Sequence, residues 1–171
     1  GIKIVRKTSV GDQEHEILTA LSEAEKRADI ILITGGLGPT SDDRTKPCLV
    51  KYFNCELKIH EEALAEVTAF FKSRGRELTE VNRQQAALPV CCEKVTNKIG
   101  TAPGMWFNRN GKVFVSMPGV PHEMKLMMTD LIIPKLKATF KTPVIHHYII
   151  RTVGIGESFL SDKIAPWEST L

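Results

Sequence analysis

From residue 32 to residue 45 the chain reads Leu-Ile-Thr-Gly-Gly-Leu-Gly-Pro-Thr-Ser-Asp-Asp-Arg-Thr, a combination suited to holding an anion. Gly35, Gly36 and Gly38 fall within four positions and let the backbone approach a ligand closely. Hydroxyls at Thr40, Ser41 and Thr45 and carboxylates at Asp42 and Asp43 follow, where a helix is expected to begin. A helix start offers N–H groups with no internal partner, so a phosphate is the natural guest. The two carboxylates could hold the divalent cation that often accompanies one. A further acid, Asp12, and two glycine-proline turns, Thr101-Ala102-Pro103-Gly104 and Pro118-Gly119, complete the candidate set.

Plainer roles fit the same residues. Thr40 followed three positions later by Asp43 matches a capping box, and Asp12 can cap the helix that follows it. Glycine loops and Pro-Gly pairs occur in many turns. His122 and the pair His146-His147 have no second ligand at metal spacing and read as surface or core histidines.

These residues need a scaffold, and the pattern predicts one. Residues 2–5 (Ile-Lys-Ile-Val) read as a strand, followed by a helix in which Ile17, Leu18, Leu21, Ala24 and Ala28 recur at helical spacing. Residues 30–33 read as a buried strand that feeds the glycine loop. A helix over about 43–53 tolerates Pro47 only in its first turn. Ala63, Leu64, Val67, Phe70 and Phe71 make one apolar stripe on a helix over 60–74, ended by Gly75. Residues 82–87 suit a short helix. Residues 105–107 and 113–115 flank an Asn110-Gly111 tight turn and predict a hairpin. The Pro118-Gly119 turn leads into a helix with Met124, Met127, Met128, Leu131 and Ile132 inward, kinked or ended at Pro134. Residues 144–152 read as a last strand. This order predicts a three-layer α/β/α fold, a mostly parallel sheet with helices on both faces, plus a small antiparallel hairpin. Ligands of such sheets sit beyond the carboxyl ends of the strands, where the Asp12, glycine and Pro118 loops should converge.

The 171 residues suffice for one domain with a real core, and 42% hydrophobic with 25% charged residues is a globular balance. A net charge of +3 with scattered Lys and Arg argues against a nucleic-acid stripe. No apolar run approaches the ~20 residues of a membrane span, and no signal peptide is expected from these residues. Cys48, Cys55, Cys91 and Cys92 lack paired zinc spacing, and reduced, buried thiols in a cytoplasmic protein fit them best. Both ends read as cut, with residues 1–152 as one domain and 153–171 as the start of a following element.

Several blocks together resemble the molybdopterin-binding-type domain shared by the MoaB, MogA and CinA (competence/damage-inducible) proteins. They are Val10-Gly11-Asp12, the stretch from Thr34 to Thr45, Asn82-Arg83-Gln84-Gln85-Ala86, residues 97–104, Met117-Pro118-Gly119-Val120-Pro121-His122-Glu123-Met124 and residues 151–158. The CinA branch is the closer match, because Leu37 stands where the molybdopterin enzymes usually carry Thr. The resemblance implies that the family's first strand and helix, normally ahead of residues 2–10, are missing here, as are the later domains of full-length CinA proteins. It implies a metal-dependent pyrophosphatase that splits ADP-ribose to AMP and ribose 5-phosphate with Mg²⁺, Mn²⁺ or Co²⁺. Asp43 is implied as catalytic acid and metal ligand, and Asp12 as a second catalytic acid facing it. Thr34, Gly35, Gly36, Leu37, Gly38, Pro39, Thr40, Ser41, Asp42 and Thr45 would hold a phosphate. Thr101, Ala102, Pro103 and Gly104 would frame the base or ribose, and Pro118 and Gly119 the other end of the ligand. The expected partners are a small-molecule nucleotide and, since relatives self-associate, further copies of the chain, with no nucleic acid or membrane. Molybdopterin binding or adenylyl transfer, and a non-catalytic binding or oligomerisation module, are the alternative functions.

Overall fold

A computed structural model describes residues 1–144 and 146–170. The chain divides into two compact units, Ile2–Lys141 and a second formed by Thr142–Leu171 with Gly1. All of the candidate site lies in the first.

A four-stranded sheet organises that unit. Its strands are β1 (Ile30–Thr34), β4 (Glu93–Val95), β5 (Gly104–Arg109) and β6 (Lys112–Met117), in the order β1-β6-β5-β4. Strand β1 pairs parallel to β6, whereas β6 with β5 and β5 with β4 are antiparallel. The sheet is therefore mixed. The expected hairpin, turned by Asn110 and Gly111 at φ 50° and 76°, supplies two of its strands rather than forming a separate patch. A second, two-stranded ladder joins β2 (Leu57–Ile59) to β3 (Ala87–Pro89).

Alternation along the strands builds two cores. Met105, Phe107 and Phe114 face one side with Leu21, Leu37, Leu49 and Ala63. These come from α1 (Glu14–Arg27), the glycine loop, α2 (Thr45–Phe53) and α3 (Glu61–Ser73). On the other side Trp106, Val113, Val115 and Met117 pack against Met127, Ile132 and Leu136. That layer is α5 (Pro121–Met127), a π-turn (Met128–Ile132) and α6 (Ile133–Thr139). Helices thus cover both faces, as the apolar stripes require. Pro134 lies in the first turn of α6, and the widened π-turn before it absorbs the missing N–H. Pro47 likewise lies in the first turn of α2. Residues 80–86 form a helical turn, α4 (Glu80–Arg83), capped by Thr79 and continued as a 3₁₀ turn, Gln84–Ala86. The second unit contains α7 (Glu157–Glu168).

Three expectations are corrected. Residues 2–5 form no strand, and Ile4 is 84% exposed. A strand needs a neighbour to take its N–H and C=O groups, and no ladder reaches this segment among the described residues. The same holds for the described part of 144–152, where Tyr148, Ile149 and Ile150 are exposed; Ile145 lies outside the described residues. Finally, Cys55 and Cys91 are joined in a disulfide, leaving Cys48 and Cys92 as free thiols. The β2–β3 ladder brings Cys55 and Cys91 together from 36 residues apart.

Candidate functional site

The strand register sets which loops can meet. Thr34, the end of β1, lies opposite Met117, the end of β6. Gly104 begins β5 at the same edge, paired with Val95 at the end of β4. The glycine loop, the Pro118-Gly119 turn and the Thr101–Gly104 turn therefore leave one edge of the sheet. Contact between the first two is backbone to backbone. The Gly35 N–H donates to the Met117 carbonyl at 3.0 Å, and a Cβ on Gly119 would stand 3.2 Å from the Gly35 Cα. Only glycine at 119 allows this approach without displacing the loop.

Gly35 and Gly36 adopt φ 94° and 66°, turning the chain out of the sheet. The Gly36 carbonyl then accepts the N–H groups of Thr45 at 3.1 Å and Lys46 at 3.4 Å, so residues 37–44 form a closed excursion before α2. Leu37 plugs that excursion into the core at 2% exposure, while Thr34, Pro39, Thr40, Ser41 and Asp42 stay exposed. Because the Gly35 N–H is already donated to Met117, it is withdrawn from the expected anion cradle. Among the described residues, the N–H groups of Gly36, Leu37 and Gly38 have no main-chain acceptor.

Asp43 is held in one orientation. Its Oδ2 accepts from the Thr40 N–H at 3.1 Å and the Thr40 hydroxyl at 2.6 Å, and its own N–H donates to the Thr40 carbonyl at 3.0 Å. This is not a helix cap. Arg44 is the cap residue, and α2 begins at Thr45. The Thr40–Asp43 pair instead closes an independent turn. Gly38 makes room for it, since a Cβ there would stand 2.3 Å from Oδ2. Hydrogen bonds from Thr40 and its own backbone hold the neighbouring Asp42 carboxyl below its ordinary range.

Asp12 is placed differently from expectation. Gln13, not Asp12, occupies the cap position of α1, without a side-chain bond. Asp12 is exposed and lines an open depression with Gln13, Glu14, His15 and Arg44, the residue that follows Asp43. Among the described residues no group of three His, Cys, Asp or Glu could share a metal ion. The donor set therefore fits a hard divalent cation only where a single carboxylate, Asp43 with Asp42 beside it, is supplemented by ligand phosphate and water, the habit of Mg²⁺.

The remaining turn is built by Asn97, a residue with no role expected from its own chemistry or spacing. The Asn97 side chain donates to the Ala102 carbonyl at 3.0 Å and to Glu123 Oε2 at 2.7 Å, and its Oδ1 accepts from Gly100 N–H at 3.0 Å. Thr101 and Pro103 line a small recess beside Glu66 and Val67, but Gly104 is buried under Met127. Gly104 thus serves packing, not ligand contact. Lys46 was also missed. It is 7% exposed and its Nζ donates to the carbonyls of Gln85 at 3.2 Å and Ala87 at 3.1 Å. Burial lowers its ammonium to about 8, a shift partly offset by Cys92 and Asp43. The available signal was a lysine in the first turn of a helix, where the dipole disfavours a cation.

Residues 1–138 match the family described as "probable molybdopterin binding domain". A CinA-like protein of Cytophaga hutchinsonii is 50% identical over 171 residues, covering 100% of this chain and 41% of that protein. One of Flavobacterium psychrophilum is 45% identical over 172 residues, with the same two shares. The chain therefore spans about two fifths of the length of these relatives. A crystal structure of CinA from Thermoplasma acidophilum, described as of unknown function, is 35% identical with a TM-score of 0.63, covering 75% of this chain and 73% of that one. With its glycine loop, its Leu37 and its α/β/α layers, the chain belongs to the CinA family, as a domain of the molybdopterin-binding type.

Proposed function

We propose that this chain is a nucleotide-pyrophosphate hydrolase domain that splits ADP-ribose into AMP and ribose 5-phosphate. The observation that carries the reading is the backbone contact of Gly35 with Met117 and Gly119, beside an Asp43 carboxylate pinned by Thr40. Two glycine turns pressed together offer main-chain N–H groups rather than apolar side chains, which suits a diphosphate better than any bulky apolar ligand.

On this reading the N–H groups of Gly36, Leu37 and Gly38 bind one phosphoryl group, with the Ser41 hydroxyl as a further donor. Hydrolysis forms one P–O bond from water and breaks the bridging P–O bond, placing negative charge on the departing phosphate. Donors fixed before the reaction stabilise that charge without reorganising. Oδ2 of Asp43 is engaged by Thr40, and Oδ1 can accept a hydrogen bond from the attacking water and orient it. A divalent cation, held by Asp43 with Asp42 beside it, would neutralise phosphoryl oxygens. Asp12, beside Arg44, is assigned to the ligand's periphery rather than to the reacting phosphorus.

Pterin binding or adenylyl transfer is the less favoured use of the same turns, because Leu37 is buried where a threonine hydroxyl would be wanted. The deciding experiment incubates the 171-residue chain with ADP-ribose and Mg²⁺, Mn²⁺ or Co²⁺ and measures AMP and ribose 5-phosphate. Asp43→Ala should lower turnover by roughly 100-fold or more, while loss of the exposed hydrogen bonds from Thr40 costs only ~1 kcal/mol of stability. Turnover that survives Asp43→Ala removes the assignment of that residue. Protection from heat by ADP-ribose without turnover would favour a binding module.

A further inference from the structure

Lys46 is a buried cation whose contacts do not explain its charge. Lysines are almost never fully buried unless paired. Here the ammonium meets two main-chain carbonyls, of Gln85 and Ala87, and no carboxylate lies within ion-pair distance of it among the described residues. Two neutral acceptors take up two of its three N–H donors and leave a net positive charge in a poorly solvated place, which is unfavourable. A neutral donor would tie the same carbonyls at smaller cost. Something else should account for the charge.

Its position suggests what. The Lys46 main-chain N–H closes the glycine loop on Gly36, at the first turn of α2. The side chain then runs from that turn to the 3₁₀ turn and β3, coupling the loop to a separate part of the fold. Beside it Gln85, 5% exposed, leaves its buried Oε1 without a protein partner, so the surroundings of the ammonium are polar but hold no countercharge. We propose that Lys46 is a positioning residue that acts through its charge, a fixed countercharge beneath the glycine loop that sets the affinity of that loop for anions. The inference rests on the phosphate-binding reading of the loop, but not on hydrolysis. A buried charge is poorly screened, so its field reaches a bound diphosphate with a strength that an exposed lysine would lose to water and salt. The ammonium is also titratable near neutral pH, with the Asp43 carboxylate and the Cys92 thiol as the groups that face it.

The test measures the affinity of the 171-residue chain for inorganic pyrophosphate at pH 7 and pH 9, for the wild type, Lys46→Met and Lys46→Gln. Glutamine retains a donor for the two carbonyls and guards against loss of fold in the methionine variant. At pH 7 both variants should bind roughly tenfold more weakly, the size expected for one charge acting at an effective dielectric near 20. At pH 9 the wild type has lost most of its advantage, and the ratio should shrink to about twofold. Changes in the charge of pyrophosphate itself affect all three proteins alike and cancel in the ratio. A ratio that stays the same at both pH values means that Lys46 only supports the fold, and overturns the proposal. Equal affinity of wild type and variants at pH 7 does so as well. If pyrophosphate binds none of them, the phosphate reading of the loop fails and takes Lys46 with it. If pyrophosphate binds as expected but ADP-ribose is not cleaved, the hydrolase reading alone fails.

Discussion

Raising the pH from 7 to 9 should stabilise the folded chain through Lys46. The folded ammonium loses its proton at about 8, against an ordinary value of 10.5. Between those two values the unfolded chain binds more protons than the folded one, so stability rises with pH across that window. Burial is the largest cause of the depression, and the side chain is almost wholly shielded, so the shift translates into stability with little screening. Integrated from pH 7 to 9 the gain is about 1.3 kcal/mol, and it saturates near ~3 kcal/mol above pH 10.5. Cys92 acts in the opposite direction. Burial pushes its thiol up to about 12, so the folded state keeps a proton that the unfolded state releases above ~8.5, and stability falls there. The wild type alone would therefore show a muted curve. The useful quantity is the difference between wild type and Lys46→Met, in which the thiol cancels. Reversible urea unfolding, followed at the buried Trp106, gives that difference at each pH. It should move by about 1.3 kcal/mol in favour of the wild type between pH 7 and 9. A difference that is constant within ~0.3 kcal/mol means that Lys46 is not desolvated as its surroundings require, and the argument for a buried countercharge falls with it.

Gly38→Ala should reproduce the Asp43→Ala defect without touching the acid. The new Cβ would stand 2.3 Å from Asp43 Oδ2 and must push the carboxylate off Thr40, so ADP-ribose cleavage should fall at least tenfold while far-ultraviolet circular dichroism stays unchanged. Full activity in this variant would show that the pinned orientation of Asp43 is dispensable. Reducing Cys55–Cys91, or replacing both with serine, should cost ~3–4 kcal/mol, the chain entropy of a closed loop of this length. A urea midpoint insensitive to dithiothreitol would show that the β2–β3 ladder holds the two cysteines together unaided.

What could be read from the sequence was what neighbouring residues decide among themselves. The apolar run of β1, the helix stripe of α3, the Asn110-Gly111 turn and the tolerance of Pro47 and Pro134 each depend on a few consecutive residues, and all are present. The positions of the glycine loop and of the Pro118-Gly119 turn followed from strand order, because loops leaving adjacent strand ends must meet. Residues 2–5 and 144–152 have the composition of strands yet form none, since a strand exists only with a partner along its length. Asp12 has the chemistry of a cap, but the register of α1 gives that position to Gln13. The disulfide and the burial of Lys46 depend on contacts across 36 and about 40 residues, and no local spacing encodes either. For Lys46 the omission has a physical cause. Sequence patterns treat lysine as a surface residue because burial of its charge is normally too costly, so a buried one is invisible until packing is known. That same cost is why its presence at the residue that closes the glycine loop carries information. A scaffold role would be filled as well by a neutral side chain, and a solubility role requires exposure. What remains is a use for positive charge at a loop whose Gly36, Leu37 and Gly38 N–H groups have no main-chain acceptor among the described residues.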